Sequence, residues 1–172
     1  MKNRKIKILV TSAMLAAAYT ALTLALSFIS FGGVQFRVAE AMTLLPVLSP
    51  HAIAALSLGC ALSNLIGFLT GANPLGVIDV FLGTAATLSA AVLTYWCRKI
   101  RFHGLPLLSA VFPVLMNGLV IGAELSWVTV GSFQWEAFLI NALGVALPEA
   151  VICFGIGIWL VRLLEKRQIS LY

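Results

Sequence analysis

The chain has 172 residues, 61% of them hydrophobic and only 10% charged, with a formal net charge of +5. Soluble globular domains run about 45–50% apolar and about 25% charged, so this composition excludes an ordinary soluble domain. A nucleotide-hydrolysing module needs on the order of 100 residues of ordinary composition, which the chain does not offer, whereas about 20 apolar residues make one membrane span, leaving room for about six.

In chain order, Lys2, Arg4, Lys5 and Lys7 precede an apolar run from Ile8 to Phe31. A secretory signal has an apolar core of about 7–15 residues, so this longer run predicts an uncleaved first membrane helix. Within it Ala13, Ala17, Ala21 and Ala25 recur at every fourth residue. Such a stripe lets helices approach closely, either inside this chain or against a partner membrane subunit. The next stretch, Val38 to Leu69, contains Ser49-Pro50-His51, and proline removes a backbone donor while disfavouring helix at the residue before it. Charge parity decides between one kinked span and two. Two more basic clusters, Arg98/Lys99/Arg101 and Arg162/Lys166/Arg167, join the first on the cytoplasmic side only if the stretch counts as two. Further spans are predicted at Val77 to Trp96, Leu105 to Leu125 and Ala137 to Leu164. The expected fold is therefore an all-α integral membrane protein. Six transmembrane helices form one compact bundle, a single domain over 1–172, with both termini cytoplasmic. Gly32 to Arg37, Thr70 to Gly76 and Ser126 to Glu136 lie outside. The two halves show no repeat, so an inverted-repeat carrier gains no support.

Ionisable groups in a membrane segment are costly and point to function by default. Arg37 and Glu40 stand at the outer start of the second span, Asp79 at that of the fourth, and Glu124 at the outer end of the fifth. Glu149 follows Pro148 deep in the sixth. Asn64, Asn117 and Asn141 also fall in the outer halves of their spans. Asn117 and Glu124 share one helical face, and Asn141, Val145 and Glu149 follow an i, i+4, i+8 stripe. Two neighbouring helices can thus aim amides and carboxylates into one cavity, flanked by Trp127 and Trp135. Each element has a plainer alternative. The amides can bond helix to helix, the tryptophans can anchor at the interface, Arg37 can pair with Glu40, and Asp79 can serve the N-terminus of its own helix. No basic residue is evident near Glu124 or Glu149 within the membrane, which favours contact with ligand or water. Cys60, Cys97 and Cys153 read as packing residues, and His51 and His103 as residues of cytoplasmic turns. There is no HExxH, GxSxG, Walker loop or Cys/His ligand spacing, so no catalytic residue, metal or cofactor is expected. A standalone carrier, a membrane enzyme acting on lipid or prenyl chains, and a small assembly protein remain the alternatives from other classes.

The segment Phe36-Arg37-Val38-Ala39-Glu40-Ala41-Met42-Thr43-Leu44-Leu45-Pro46 resembles the FR-x-x-E-A-x-T-x-L-P signature of the QueT family. Collinear matches continue through Gly59 and Asn64, Asp79-x-x-x-Gly83-Thr84-x-Ala86-Thr87, Asn117-x-x-x-Ile121-Gly122-x-Glu124-Leu125 and Pro148-Glu149. The resemblance implies a queuosine-precursor transporter, namely the substrate-binding S component of an energy-coupling factor transporter. Such a component binds its ligand near the outer face and docks onto a transmembrane T subunit and two ATP-binding subunits. The family's Ala-x-x-x-Ala docking feature maps onto Ala13 and Ala17, continued by Ala21. A 7-deazaguanine offers donors at N1 and the exocyclic amine, an acceptor at O6 and a flat π surface. Glu124 or Glu149 suit the donors, Asn64, Asn117 or Asn141 the acceptor, and Trp127 or Trp135 the ring.

Overall fold

The computed structural model describes residues 2–168. The chain is helical throughout these residues, without a β-strand: α1 (Lys2–Ala25), α2 (Ser27–Ser30), a 3₁₀ helix (Val38–Val47), α3 (His51–Leu69), α4 (Val77–Trp96), α5 (Leu107–Val130), α6 (Trp135–Ala150), a π-helical segment (Val151–Gly157) and α7 (Ile158–Lys166). Five stretches are long and apolar enough to cross a membrane: Arg4–Ala25, His51–Leu69, Val77–Trp96, Leu107–Val130 and Trp135–Lys166. Large apolar side chains cover much of the outer faces, while the interior holds small and polar residues beside a core that includes Leu44, Leu56, Ile121 and Ile152.

The second predicted span takes an unexpected form. Val38–Val47 is a 3₁₀ helix of 10 residues, although runs beyond 3–4 residues are uncommon, and at about 2 Å per residue it covers only about 20 Å. Its surroundings compensate, since nine of its ten residues are buried. Pro46, inside the helix, cannot donate a hydrogen bond. The Thr43 hydroxyl donates to the Glu40 carbonyl at 2.5 Å, a local bond that secures the tighter turn. Gly157 of the π segment lets it pack closely, because a Cβ there would lie 3.2 Å from the Ala41 carbonyl oxygen.

Chain direction follows from the contacts. The residues at the start of the 3₁₀ helix meet Asp79, in the first turn of α4. At its far end Leu48 joins clusters containing Leu105, Leu107, Leu160 and Leu164, which belong to the opposite end of the bundle. The helix therefore runs from one end to the other, and α3 returns to place Asn64 beside Asp79. Consecutive long helices α3, α4, α5 and α6 pack side by side, with α1 on α3. Arg101 and Glu165 close the second end with a bidentate pair at 2.6 and 3.1 Å.

The outer boundary of the fifth span differs from expectation. The fifth helix continues to Val130, and Gly131 ends it in the left-handed conformation, φ 73°, donating its N–H to the Trp127 carbonyl at 2.8 Å. The predicted outer connection thereby shrinks to residues 131–134. The last span is continuous past Pro148, as expected, and widens into the π-helical segment three residues beyond it.

Close helix approach inside the bundle uses other small residues than the alanine ladder. A Cβ on Gly122 would lie 2.6 Å from the Ala142 Cα, one on Gly118 3.0 Å from the Ala146 Cβ, and one on Gly59 2.9 Å from the Ala16 carbonyl oxygen. Ala13, Ala17, Ala21 and Ala25 are instead exposed, while Ala16, Tyr19, Thr20 and Thr23 form the buried face of α1.

Candidate functional site

Arg37, Glu40, Asp79, Glu124 and Glu149 are each no more than 4% exposed. Arg37 immediately precedes the 3₁₀ helix, whose three-residue turn places i and i+3 on one face. Its guanidinium stands 3.9 Å from Glu40 and 3.9 Å from Asp79. The sequence puts Arg37 in an outer connection; the structure turns it inward, under the Phe31 ring at 5.3 Å and toward the Cys60 sulfur at 3.9 Å. Its ion pairs are with Glu40 and Asp79; among the described residues neither Glu124 nor Glu149 forms an ion pair with a basic side chain, as expected. A guanidinium suits this place because its fixed fork can serve several acceptors at once and it is more weakly hydrated than an ammonium.

Around this centre the carboxylates are individually tethered. Glu40 accepts a short hydrogen bond from the Tyr19 hydroxyl. Asp79 accepts from the Asn73 amide at 2.7 Å, and its main-chain carbonyl accepts from Asn64 at 2.9 Å. Asp79 is also the acid in the first turn of its own helix, whose N-cap residue is Gly76. Gly83, one turn on, leaves the space that this carboxylate and the Asn64 amide occupy. Glu149 accepts from Asn117 at 3.0 Å and lies 3.7 Å from the Cys153 sulfur. Cys60 and Cys153 thus border the polar cluster as well as packing, with Thr87 donating to Cys60 at 3.3 Å.

Gln35, Arg37, Glu40, Asn117, Ile121, Val145 and Glu149 line a small cavity of about 10 Å³, near the lower limit for one water. Of the residues lining it, Gln35 Nε2, Arg37 Nε and Arg37 Nη2 are buried donors, and Glu40 Oε2 a buried acceptor, without a hydrogen-bond partner within the protein; beyond the lining, Asp79 Oδ1, Asn64 Oδ1 and both oxygens of Glu124 are buried acceptors in the same condition. Buried polar atoms are ordinarily paired, so a concentration of unpaired ones marks a place built to meet something. Among the described residues no group of three or more His, Cys, Asp or Glu side chains is arranged to hold a metal ion.

The predicted residues divide accordingly. Arg37, Glu40, Asp79, Asn64, Asn117 and Glu149 come together in one network, with Glu124 on the same face of α5 as Asn117 and Ile121. Asn141 is only half-buried, so the Asn141/Val145/Glu149 stripe reaches the interior at Val145 and Glu149. Trp127 and Trp135 are 58% and 70% exposed and lie away from the cavity, because the extended fifth helix carries Trp127 onto its outer surface and Trp135 packs against Phe133 and Phe138. Tyr19, Gln35 and Asn73 are the contributors not anticipated. Tyr19 carries a legible signal, a lone phenol on a helix otherwise built of small and aliphatic residues. Asn73 reads as a turn residue and is one, accepting the Leu75 N–H at 3.1 Å, but its amide reaches the site.

An all-helical chain with five long apolar helices around a small buried polar cavity has the build of a multi-pass membrane protein. Residues 9–166 match the QueT transporter family, and the chain belongs to that family. The family is one of transporters. The queuosine precursor transporter QueT of Lactococcus lactis subsp. cremoris (strain MG1363) is 37% identical over 90 residues, a match covering 51% of this chain and 49% of that protein. No solved structure matches the chain.

Removing Arg37 leaves Glu40 and Asp79 as uncompensated buried charges, and breaking such a pair costs about 3–5 kcal/mol. Arg37→Leu should strongly lower the melting temperature of the purified protein in detergent, and adding Asp79→Asn should restore part of the loss. Equal melting of the parent and the single variant would show that the ion pairs do not hold the fold.

Proposed function

We propose that this chain is the substrate-binding S component of an energy-coupling factor transporter. It binds a queuosine precursor, a 7-deazaguanine, at an outward-facing site and delivers it to a T subunit and two ATP-binding subunits. The observation that carries the ligand reading is the mixed set of unpartnered buried donors and acceptors around one cavity. A deazaguanine presents both kinds of group on one rigid ring. Glu40 and Glu149 accept from its N1–H and exocyclic amine, Arg37 and Gln35 donate to O6, and Asn64, Asn117 and Asp79 hold those partners in place. Buried hydrogen-bonding sites reject analogues that leave their groups unpaired far better than apolar pockets reject by size.

A cavity of about 10 Å³ does not admit a bicyclic ring, so binding requires the cover to move. Residues 31–36 form that cover. They contain Gly32 and Gly33, and Gly33 has open space where a side chain would stand.

The membrane orientation rests on the end-to-end course of the chain. Counting the 3₁₀ helix as a pass gives six crossings, an even number, with both termini on one side. Lys5, in the groove at the start of α1, and the Arg101–Glu165 pair then share that side, which is cytoplasmic by the preference of Lys and Arg. The site faces outward. Docking is assigned to α1, whose alanine ladder is exposed and continues at Ala13 into a groove of about 480 Å³ between α1 and α3.

Three measurements test this reading. Calorimetry with purified protein should detect binding of a 7-deazaguanine, and Glu149→Gln should weaken it roughly tenfold or more, since hydrogen bonds to charged groups contribute about 1.5–3 kcal/mol; unchanged affinity would make Glu149 structural. In intact cells, a single-cysteine version carrying Ser132→Cys should react with a membrane-impermeant maleimide and one carrying His103→Cys should not, the reverse pattern inverting the topology. Ala17→Trp should keep ligand affinity yet lose copurification with the T subunit and uptake; normal uptake by an assembled complex would reject the docking face.

A further inference from the structure

Of the five long helices, α1 is the least buried. It packs tightly on α3 where a Cβ on Gly59 would lie 2.9 Å from the Ala16 carbonyl oxygen, and where the Thr20 hydroxyl donates to the Gly59 carbonyl at 3.1 Å. From that seam toward the start of α1 the two helices part, leaving the groove of about 480 Å³. Leu9, Ala54 and Leu58 supply apolar walls, while Ser12 and Lys5 carry the polar groups, Lys5 being the lining residue of α1 farthest from the seam. Eight residues separate Lys5 from Ala13, about 12 Å along the axis, and Ala13 lies near the middle of the Arg4–Ala25 span. The groove therefore runs from one membrane face to near the mid-plane, about the depth of one leaflet of a hydrocarbon core about 30 Å thick.

Width and charge identify the occupant. A volume of about 480 Å³ spread over about 12 Å leaves a mean cross-section of about 40 Å², whereas a helix with its side chains, 10–12 Å across, needs about 80–110 Å². A partner helix does not enter such a groove; an extended hydrocarbon chain does. The charge at its mouth is also unanswered from within the protein. Among the described residues Glu165 pairs with Arg101, Glu40, Asp79, Glu124 and Glu149 are buried in or beside the polar network, and Glu136 begins α6 at the far end. Lys5 is exposed and takes part in none of the ion pairs, and Arg4 and Lys7 beside it are basic as well.

We propose that the groove between α1 and α3 is a lipid site, which takes an acyl chain of an anionic phospholipid from the adjoining leaflet and sets its headgroup phosphate on the Lys5 ammonium. Basic pockets between membrane helices select anionic headgroups, and the long stem of a lysine lets its charge reach the headgroup level while its methylenes stay on the apolar walls. The site is separate from the polar cavity and depends on neither the ligand reading nor the docking assignment above.

Two lipids with identical chains and different headgroups isolate the charge, because their chain contacts cancel in the comparison. Native mass spectrometry would titrate the purified full chain in detergent with phosphatidylglycerol or phosphatidylcholine. Phosphatidylglycerol should bind about fivefold more tightly, the ratio expected of one lysine facing an anionic headgroup. Lys5→Gln should bring that ratio toward one, whereas Lys166→Gln, in the last turn of α7, should leave it. Ala54→Trp, which fills the groove from an exposed position, should weaken binding of both lipids. Equal binding of the two lipids by the parent protein would overturn the anionic-lipid proposal, and so would displacement of phosphatidylglycerol by inorganic phosphate, which would leave an anion contact with no role for the chain. A ratio unchanged in Lys5→Gln protein would overturn the assignment of the headgroup to Lys5. Undiminished binding by Ala54→Trp protein would put the chain outside the groove. The parent comparison needs no variant, so poor folding of either one does not blunt the test.

Discussion

The position of one guanidinium governs the architecture. Arg37 enters the interior from a connection that also supplies Phe31 and Gln35, and it meets carboxylates from the 3₁₀ helix and from α4. Charges in such surroundings are tolerated only when paired and further hydrogen-bonded. The neighbouring elements are arranged to meet that condition: Tyr19 of α1 reaches Glu40, Asn73 reaches Asp79, and Gly83 keeps α4 clear of the carboxylate. The short, fully enclosed 3₁₀ helix is a consequence. A segment only about 20 Å long at 2 Å per residue cannot bridge a hydrocarbon core of about 30 Å on its own, but it can stand inside a bundle whose longer helices screen it.

Much of the helix pattern was legible because its causes are local. Apolar runs of sufficient length between basic clusters locate the long helices, and Ser49-Pro50-His51 marks the break before α3. Seven predicted site residues also share one neighbourhood, since polar groups in an apolar chain have few places to go. What local pattern did not supply was direction. Arg37 looks like a loop residue until the chain folds back over it, and Gln35 and Asn73 look like ordinary connection polarity. Trp127 and Trp135 satisfy the composition of a stacking site, but the extra turn of α5 past Leu125 carries Trp127 outward and Trp135 packs on Phe133 and Phe138. The π turn after Pro148 has no local signature separable from a kink.

The small residues show the same division between pattern and direction. Gly118 and Gly122 on α5 have the same spacing as the alanines of α1, and Ala142 and Ala146 answer them on α6. Spacing alone cannot tell a seam within the protein from a surface. Burial does, since the α5–α6 seam is closed by backbone-close contacts while the α1 ladder looks away from the bundle.

Because α1 is an unbroken helix from Lys2 to Ala25, its two faces move as one rod. Ala17 and Tyr19 are separated by two residues, about 200° around the axis, so the outward ladder and the phenol that holds Glu40 sit on nearly opposite sides of the same cylinder. Twisting that cylinder by about 10° carries a group at its outer radius of about 5–6 Å through roughly 1 Å. That displacement exceeds the whole tolerance of a good hydrogen bond. Torque applied to the exterior of α1 is therefore felt at a carboxylate inside the bundle, without any loop having to relay it.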